Sequence, residues 1–486
     1  MKLDFSLINP EFSKKDLRKW TLIALVIKLF MFGWFAFNVY HYWEAGKVHH
    51  VIAAVQGDTK TYYNPAEDFV QGNGYTSICR MPGILPIYAP FSYFFGQPTA
   101  KVSMIVIQFF CSVISVVLLG WIASVLFRNK KAMSLTILLY GVSTFVSIWD
   151  HFLMSDSLSI SFLIFSIFFL IRYLQAGRLI TVLWSGLFIT WSVFLRQIDV
   201  VVIPVAGIIL IVYQWKHFGR IFKSAFVFAL PFVFFIGTWT YYNYQKTSRI
   251  IPLIAPFDEC FKITSEQLNA IGDLVRAWGE NSVHWTEGGS AQWLLTNDYK
   301  GSTPPVSPDV FTSRYNLDSL IQLKTDFGRF QKMEIPSQKD SLGMSLLERA
   351  TAHKRSYVEE NSFDYYFLNR IQLIRRFVFP GYIDNVPGPP YQQMNVLHKG
   401  VKGASLLMLM IVSLLGILGT VTVLLKRDLQ LILWLGIPWS ILFVLACILG
   451  YIEQRYLAPV YPFFLIFGVY FLLSVQSFIQ KRKIKN

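Results

Sequence analysis

The chain has 486 residues, of which 54% are hydrophobic, 17% aromatic and only 15% charged. A soluble protein carries about a quarter charged residues. Here the apolar residues fall in stretches of about 20, the length that crosses a hydrocarbon core, so an ordinary water-soluble fold is excluded. The net charge of +15 sits in short clusters between the apolar stretches, which argues against nucleic acid as the partner.

Ten candidate spans follow in chain order: 20–42, 102–127, 132–149, 157–174, 180–195, 198–214, 222–243, 402–425, 430–449 and 457–478. The first begins near Trp20. It is too long for a signal-peptide core and ends in no small-residue cleavage pattern. Lys28 lies inside it and is expected either to snorkel to the cytoplasmic side or to pair within the bundle. The segment 84–96 is apolar but short, and Pro82, Pro86 and Pro90 are expected to break a helix there. It reads as a re-entrant or interfacial piece.

Basic clusters at Lys14-Lys15-Arg18-Lys19, Arg128-Lys130-Lys131, Arg172-Arg178, Lys216-Arg220-Lys223, Lys426-Arg427 and Lys481-Arg482-Lys483-Lys485 recur at every second junction. Ten spans place all of them on one side with both termini, and the positive-inside rule makes that side cytoplasmic. Two outer segments are long. The first covers 43–101. The second covers 244–401 and is large enough to be a small folded domain. The expected organisation is an N-terminal bundle over 1–243 with seven spans, an extracytoplasmic domain over 244–401, and a C-terminal segment over 402–486 with three spans. Within the domain, 264–279 has apolar residues at helical spacing behind a Thr/Ser cap with Glu266. Residues 341–378 read as mostly helical from a cap at Ser341. The stretches 301–309 and 380–390 are Pro/Gly turns.

No CxxC spacing occurs among Cys79, Cys111, Cys260 and Cys447, so neither zinc nor a redox dithiol is indicated. Cys111 and Cys447 fall in spans as packing residues. Cys79 and Cys260 fall in outer loops, where a disulfide between them stays open. His49-His50 and His284 lack metal-ligand spacing. Trp278, Trp285, Trp293 and Tyr365-Tyr366 read as domain core rather than as sugar platforms.

Chemistry concentrates in the first outer loop, GDTKTYYNPAEDFVQGNGYTSICRMPGILPIYAPFSYFFG from Gly57 to Gly96. An acid at Asp58 suits a general base on a hydroxyl. An arginine at Arg80 suits a phosphate. Tyr62, Tyr63 and Tyr75 lie between and beside them as candidate sugar or acceptor contacts. The bland alternative is that Asp58 caps a turn and Arg80 snorkels at the interface. Asp156, in Met154-Ser155-Asp156-Ser157-Leu158, starts the fourth span, as a second carboxylate or as a helix cap. Arg196 and Arg455 stand at outer span ends, against the positive-inside bias. That placement suits an anionic ligand, or else pairing with Asp199 and Glu453.

This loop resembles the first outer loop of GT-C glycosyltransferases of the dolichyl-phosphate-mannose protein mannosyltransferase and aminoarabinose transferase type. The matching residues are Asp58, Tyr63, Ala66, Phe69, Gly72, Arg80, Pro82, Gly83, Pro86 and Phe95-Gly96. Phe194-Leu195-Arg196-Gln197 resembles the family's Leu-x-Arg-Pro, with Gln197 in place of proline. Gln454-Arg455-Tyr456-Leu457-Ala458-Pro459-Val460-Tyr461-Pro462 resembles its Arg-Tyr-x-x-Pro-x-x-Pro-Phe.

The resemblance implies an all-α membrane protein, a GT-C type bundle of about ten helices with a large outer α-containing domain between the seventh and eighth. It implies a transferase that moves a sugar, hexose or pentose, from a polyprenyl-phosphate donor to a hydroxyl of a glycan, lipid or protein acceptor, with inversion. Asp58 and Asp156 would be catalytic, and Arg80, Arg196 and Arg455 would hold the carrier phosphate. No metal ligand and no cofactor is assigned, and a divalent metal stays open. Chain length and loop style suggest a bacterial inner membrane. A transporter or flippase for lipid-linked sugars and an O-antigen ligase or polymerase are the competing classes. The first should show broken or charged helices near mid-membrane. The second is not expected to carry the pattern from Asp58 to Gly96.

Overall fold

A computed structural model describes residues 13–42, 48–49, 52–55, 58–255, 266–279, 290–295, 304, 306–333, 336–380, 391–450 and 454–485. These are almost entirely helical, and among them strands occur only as the two-residue pair Val48–His49 and Ala53–Ala54. The chain divides into two compact units. One comprises Met1–Ile254, Pro380–Leu442 and Gln454–Asn486, and the other Ala255–Phe379 and Phe443–Glu453.

The first unit holds α1 (Lys14–Tyr42), α2 (Thr59–Val70), α3 (Leu85–Leu126), α4 (Lys130–Gly141), α5 (Thr144–Ser147), α6 (Asp156–Ala176), α7 (Leu179–Leu195), α8 (Val202–Gln214) and α9 (Phe218–Thr247). The ten candidate spans fall on helices, with 132–149 interrupted at Val142-Ser143 and the last helix starting at Tyr461 rather than at 457. Among the described residues, 8 helices are long and apolar enough to cross a membrane, and α4 with the turn Thr144–His151 makes a further pair bent by 57°. Helix α7 is apolar but has 17 residues, short for a span standing alone.

Beyond the bend, where the second piece ends, Gln108 Nε2 on α3 lies 3.3, 3.3 and 3.0 Å from the carbonyls of Trp149, Asp150 and Phe152, donating to backbone groups that the ended helix leaves open. Lys28 does not snorkel. Its Nζ lies 2.7 Å from the Asp150 carboxylate and donates to Ser147 Oγ at 2.9 Å, with both charged side chains buried. Ser157 Oγ donates to the other Asp150 oxygen at 2.5 Å. A charge inside a bundle is tolerated on such terms, paired and hydrogen-bonded.

The expectation that prolines break 84–96 is corrected. Residues 85–95 are helical and run on into the α3 span. Pro86 sits in the first turn, where a missing N–H costs nothing, and the interruption falls instead at Gly96 (φ 81°, ψ 163°). Only glycine adopts that backbone readily.

The second unit has its own core. Ile271 and Leu274 on α10 (Glu266–Ala277), Trp293 on α11 (Ser290–Leu295), Leu320 and Phe327 on α12 (Leu317–Lys332) and Leu346 on α13 (Pro336–Glu360) pack together with Trp278. Trp278 and Trp293 are therefore core residues, while Trp285 lies outside the described residues. Helix α13 begins before the expected Ser341 cap. It continues through a wider turn, Asp364–Leu368, into α14 (Asn369–Val378). Cys79 is disulfide-bonded, and Cys260 lies outside the described residues. Cys111 and Cys447 are free.

Candidate functional site

Asp58 and Asp156 are positioned by one small backbone junction. Ala54 pairs in parallel with Phe152, and Leu153 N donates to Ala54 O at 3.0 Å. The buried ring of His151 joins in, its Nδ1 lying 3.1 Å from Ile52 O. Asp58 and Asp156 each stand four positions beyond their bridge residue. Asp58 takes the N-cap position of α2 without making a side-chain cap bond. Asp156 falls in the first turn of α6, where a helix N-terminus favours negative charge.

Arg80 is brought in by the loop between α2 and α3. Its Nε donates to Thr61 Oγ1 at 3.0 Å and its guanidinium covers the Tyr62 ring at 4.5 Å. At Gly83, directly after Pro82, the same loop is pressed against the end of α7. A Cβ at Gly83 would stand 2.5 Å from Phe194 O and 2.8 Å from Leu195 N. Trp191 Nε1 donates to Gly83 O at 3.0 Å from the other side. Glycine is required here for close approach of two backbones.

Arg196 follows α7 directly. Helices α6 and α7 are tied by serines: Ser166 Oγ donates to Ser185 O, and Ser185 Oγ to Ser166 O, each at 2.9 Å. Ser192 Oγ lies 3.0 Å from Ser159 O. Small polar residues of this kind let membrane helices approach closely, so the start of α6 meets the end of α7. Arg196 is extended (φ −144°, ψ 108°), the conformation a following proline would impose, although Gln197 stands there. Its guanidinium forms a buried ion pair with Asp156. Asp199, the alternative partner, accepts instead from Ser159 Oγ at 2.5 Å and from Ser192 Oγ.

Arg455 comes from the turn Gln454–Leu457 that precedes α17 (Tyr461–Lys485), after α15 (Val396–Lys426) and α16 (Leu429–Phe443). Its Nη1 lies 2.5 Å from Asp58 Oδ2, and Arg80 Nη2 lies 3.7 Å from Asp58 Oδ1. Glu453, the other candidate partner of Arg455, lies outside the described residues. Tyr456 was not singled out by sequence reasoning as a site residue. Its ring lies 5.1 Å from the Arg196 guanidinium and 5.2 Å from that of Arg455, so one ring serves both cations. The signal was available only as the second residue of an Arg-Tyr pair.

Asp58, Arg80, Asp156, Arg196 and Arg455 thus converge, from five separate stretches of sequence. Tyr62 joins them beneath Arg80. Tyr63 and Tyr75 do not. Tyr63 is buried edge-on against Tyr88 at 4.9 Å. Tyr75 is buried too, its hydroxyl donating to Met81 O at 3.2 Å and its carbonyl accepting from Tyr242 and Lys246. Both are packed into the body of the loop, Tyr75 close enough to feel the charge of Arg80. Glu67 accepts from Tyr88 and from Ser92 at 3.0 Å and so ties α2 to the start of α3.

Burial pushes the Asp58 carboxyl up, but Arg455, with Arg80 and Arg196 behind it, outweighs burial and holds it below the ordinary value. Positive charge is in excess over the site. Nε and Nη1 of the buried Arg196 find no hydrogen-bond partner among the described residues. Buried donors of this strength are costly unless satisfied, and an anion is one group that would satisfy them. Among the described residues no group of three or more His, Cys, Asp or Glu could hold a metal ion.

Residues 82–241 match the family model of dolichyl-phosphate-mannose-protein mannosyltransferase. That stretch includes Gly83, Asp156 and Arg196 and stops short of Asp58 and Arg455. No curated protein matches the chain. The match covers about a third of the chain, and together with the 8 helices among the described residues that are long and apolar enough to cross a membrane it supports a multi-pass integral membrane glycosyltransferase that resembles the GT-C group.

Proposed function

We propose that the protein transfers a single sugar from a polyprenyl-phosphate donor to an acceptor hydroxyl, with inversion, on the extracytoplasmic face of a bacterial inner membrane, both termini lying in the cytoplasm. The observation that carries this reading is the cluster itself: one carboxylate, Asp58, held between Arg455 and Arg80 beside a second pair, Asp156 and Arg196. Three arginines in one place fit a phosphate, and a carboxylate beside them fits a base.

The chemistry balances on these residues. Asp58 takes the proton of the acceptor hydroxyl as its oxygen bonds to the anomeric carbon. The bond from that carbon to the phosphate oxygen breaks, and its electron pair leaves with the carrier as polyprenyl phosphate. Charge grows on that oxygen as the sugar passes through an oxocarbenium-like state. Arg80, Arg196 and Arg455 stabilise it, which is the effect preorganised cations exert where charge develops. An Asp58 carboxylate pinned by two arginines is a weak base. A donor phosphate that draws Arg455 and Arg80 toward itself restores basicity, so donor binding arms the base. Asp156 keeps Arg196 aimed. The acceptor is a glycan, a lipid or a protein hydroxyl, and the membrane lipids house the polyprenyl tail.

Purified protein offered a panel of polyprenyl-phosphate monosaccharides, with membrane extract as acceptor, should release polyprenyl phosphate from one of them. A donor that crosses vesicles intact without release would show a transporter. Turnover confined to diphosphate-linked oligosaccharides would show a ligase or polymerase.

A further inference from the structure

Helix α14 and the wider turn before it present apolar side chains on both sides. Leu373 and Phe377 are buried in the second unit, and Asn369 Nδ2 donates to Ala277 O at 2.9 Å, which fixes the helix in rotation. On the opposite face Phe363, Tyr366, Phe367 and Ile371 are 65%, 60%, 59% and 60% exposed. Phe363, Phe367 and Ile371 follow the spacing of one helical stripe. Phe363 and Phe367 stack on each other at 5.6 Å, not on the domain core. A domain bathed in water does not leave such a stripe open without a use for it.

Two observations say what covers it. Arg370 Nη1 donates to Ala446 O at 3.1 Å, and Ala446 belongs to the last turns of the membrane-crossing helix Leu429–Ile448. The stripe is therefore pinned beside the end of a span whose own Phe443 and Ile448 are 59% and 66% exposed. From Asp364 to Phe379 the chain also carries three arginines (Arg370, Arg375, Arg376) against one aspartate. Aromatic residues on one face with basic residues beside them is the composition of a helix lying in a membrane interface.

We propose that the stripe Phe363–Tyr366–Phe367–Ile371 anchors the second unit in a phospholipid leaflet. The rings enter the upper acyl region and the arginines of the same helix lie among the headgroup phosphates. This inference does not depend on the transfer reaction.

Nitroxide labels test it on the full chain in vesicles of phosphatidylcholine and phosphatidylglycerol. Single cysteines replace Phe363, Phe367 or Ile371 in a Cys111→Ser/Cys447→Ser background, with Glu348→Cys on α13 as the aqueous reference and the parent as baseline. At the three stripe positions, the ratio of oxygen collisions to nickel-chelate collisions should shift well above that at position 348. An equal ratio means the stripe faces water and overturns the proposal. Low collision with both reagents means protein covers it, and overturns it as well.

Discussion

Asp58 and Arg455 are 397 positions apart in sequence and hold each other at 2.5 Å. Because Arg455 and Arg80 keep the carboxyl below its ordinary value of 3.8, it stays ionised as the pH falls through the usual carboxylate range. The pair's contribution to stability is present above that value and is lost only as the pH falls through the lower folded one. The acid limb that Asp58 imposes on kcat/KM should therefore lie below about pH 4. Arg455→Gln removes the strongest attraction, leaves burial to dominate, and should move that limb to higher pH. A limb that stays in place would separate Asp58 from the rate.

Tyr456 should matter more through its ring than through its hydroxyl, which accepts only a long bond of 3.4 Å from Arg455 Nη2. Tyr456→Phe keeps the ring beside Arg196 and Arg455 and should retain most activity. Tyr456→Ala removes two cation contacts, each worth about 0.5–2 kcal/mol, and should raise the donor KM by roughly tenfold. Steady-state kinetics with a fixed acceptor would show it.

Gly83→Ala places a methyl group against the backbone of Phe194 and Leu195. Relief requires the end of α7 to move, and Arg196 with it. Activity should fall by roughly 100-fold, as misplacements of about 1 Å do, while the protein still inserts and purifies. Comparing kcat/KM with thermal stability in detergent separates the two effects.

Lys28→Met leaves Asp150 buried without its cation. Breaking one half of such a pair costs about 3–5 kcal/mol. The melting temperature in detergent should drop clearly, and the double variant Lys28→Met/Asp150→Leu should recover most of the loss. A double variant no better than the single one would mean that the pair is more than structural.

Some of this was legible in the sequence for a physical reason. Spans announce themselves by length and apolarity, because lipid tolerates no unsatisfied backbone. Outer arginines such as Arg196 and Arg455 announce themselves by violating a charge bias. Partner choice was not legible. Whether Arg196 meets Asp156 or Asp199 depends on the serine-tied packing of α6 on α7, which no spacing encodes. The helix across Pro86 was missed because a proline in the first turn has no bond to lose; Pro90 lies inside the helix, and the break falls at Gly96 instead. Tyr62 and Tyr63 stand side by side in the chain and are both buried, yet Tyr62 lies under Arg80 while Tyr63 packs against Tyr88, a difference that spacing does not encode.

The central claim is that Asp58 deprotonates the acceptor. Asp58→Asn keeps the size of the side chain and removes its basicity. Its release of polyprenyl phosphate should fall by roughly 100- to 10,000-fold, while the donor, followed by retention on the immobilised variant, still binds. Full release by Asp58→Asn, with donor binding intact, would contradict the account.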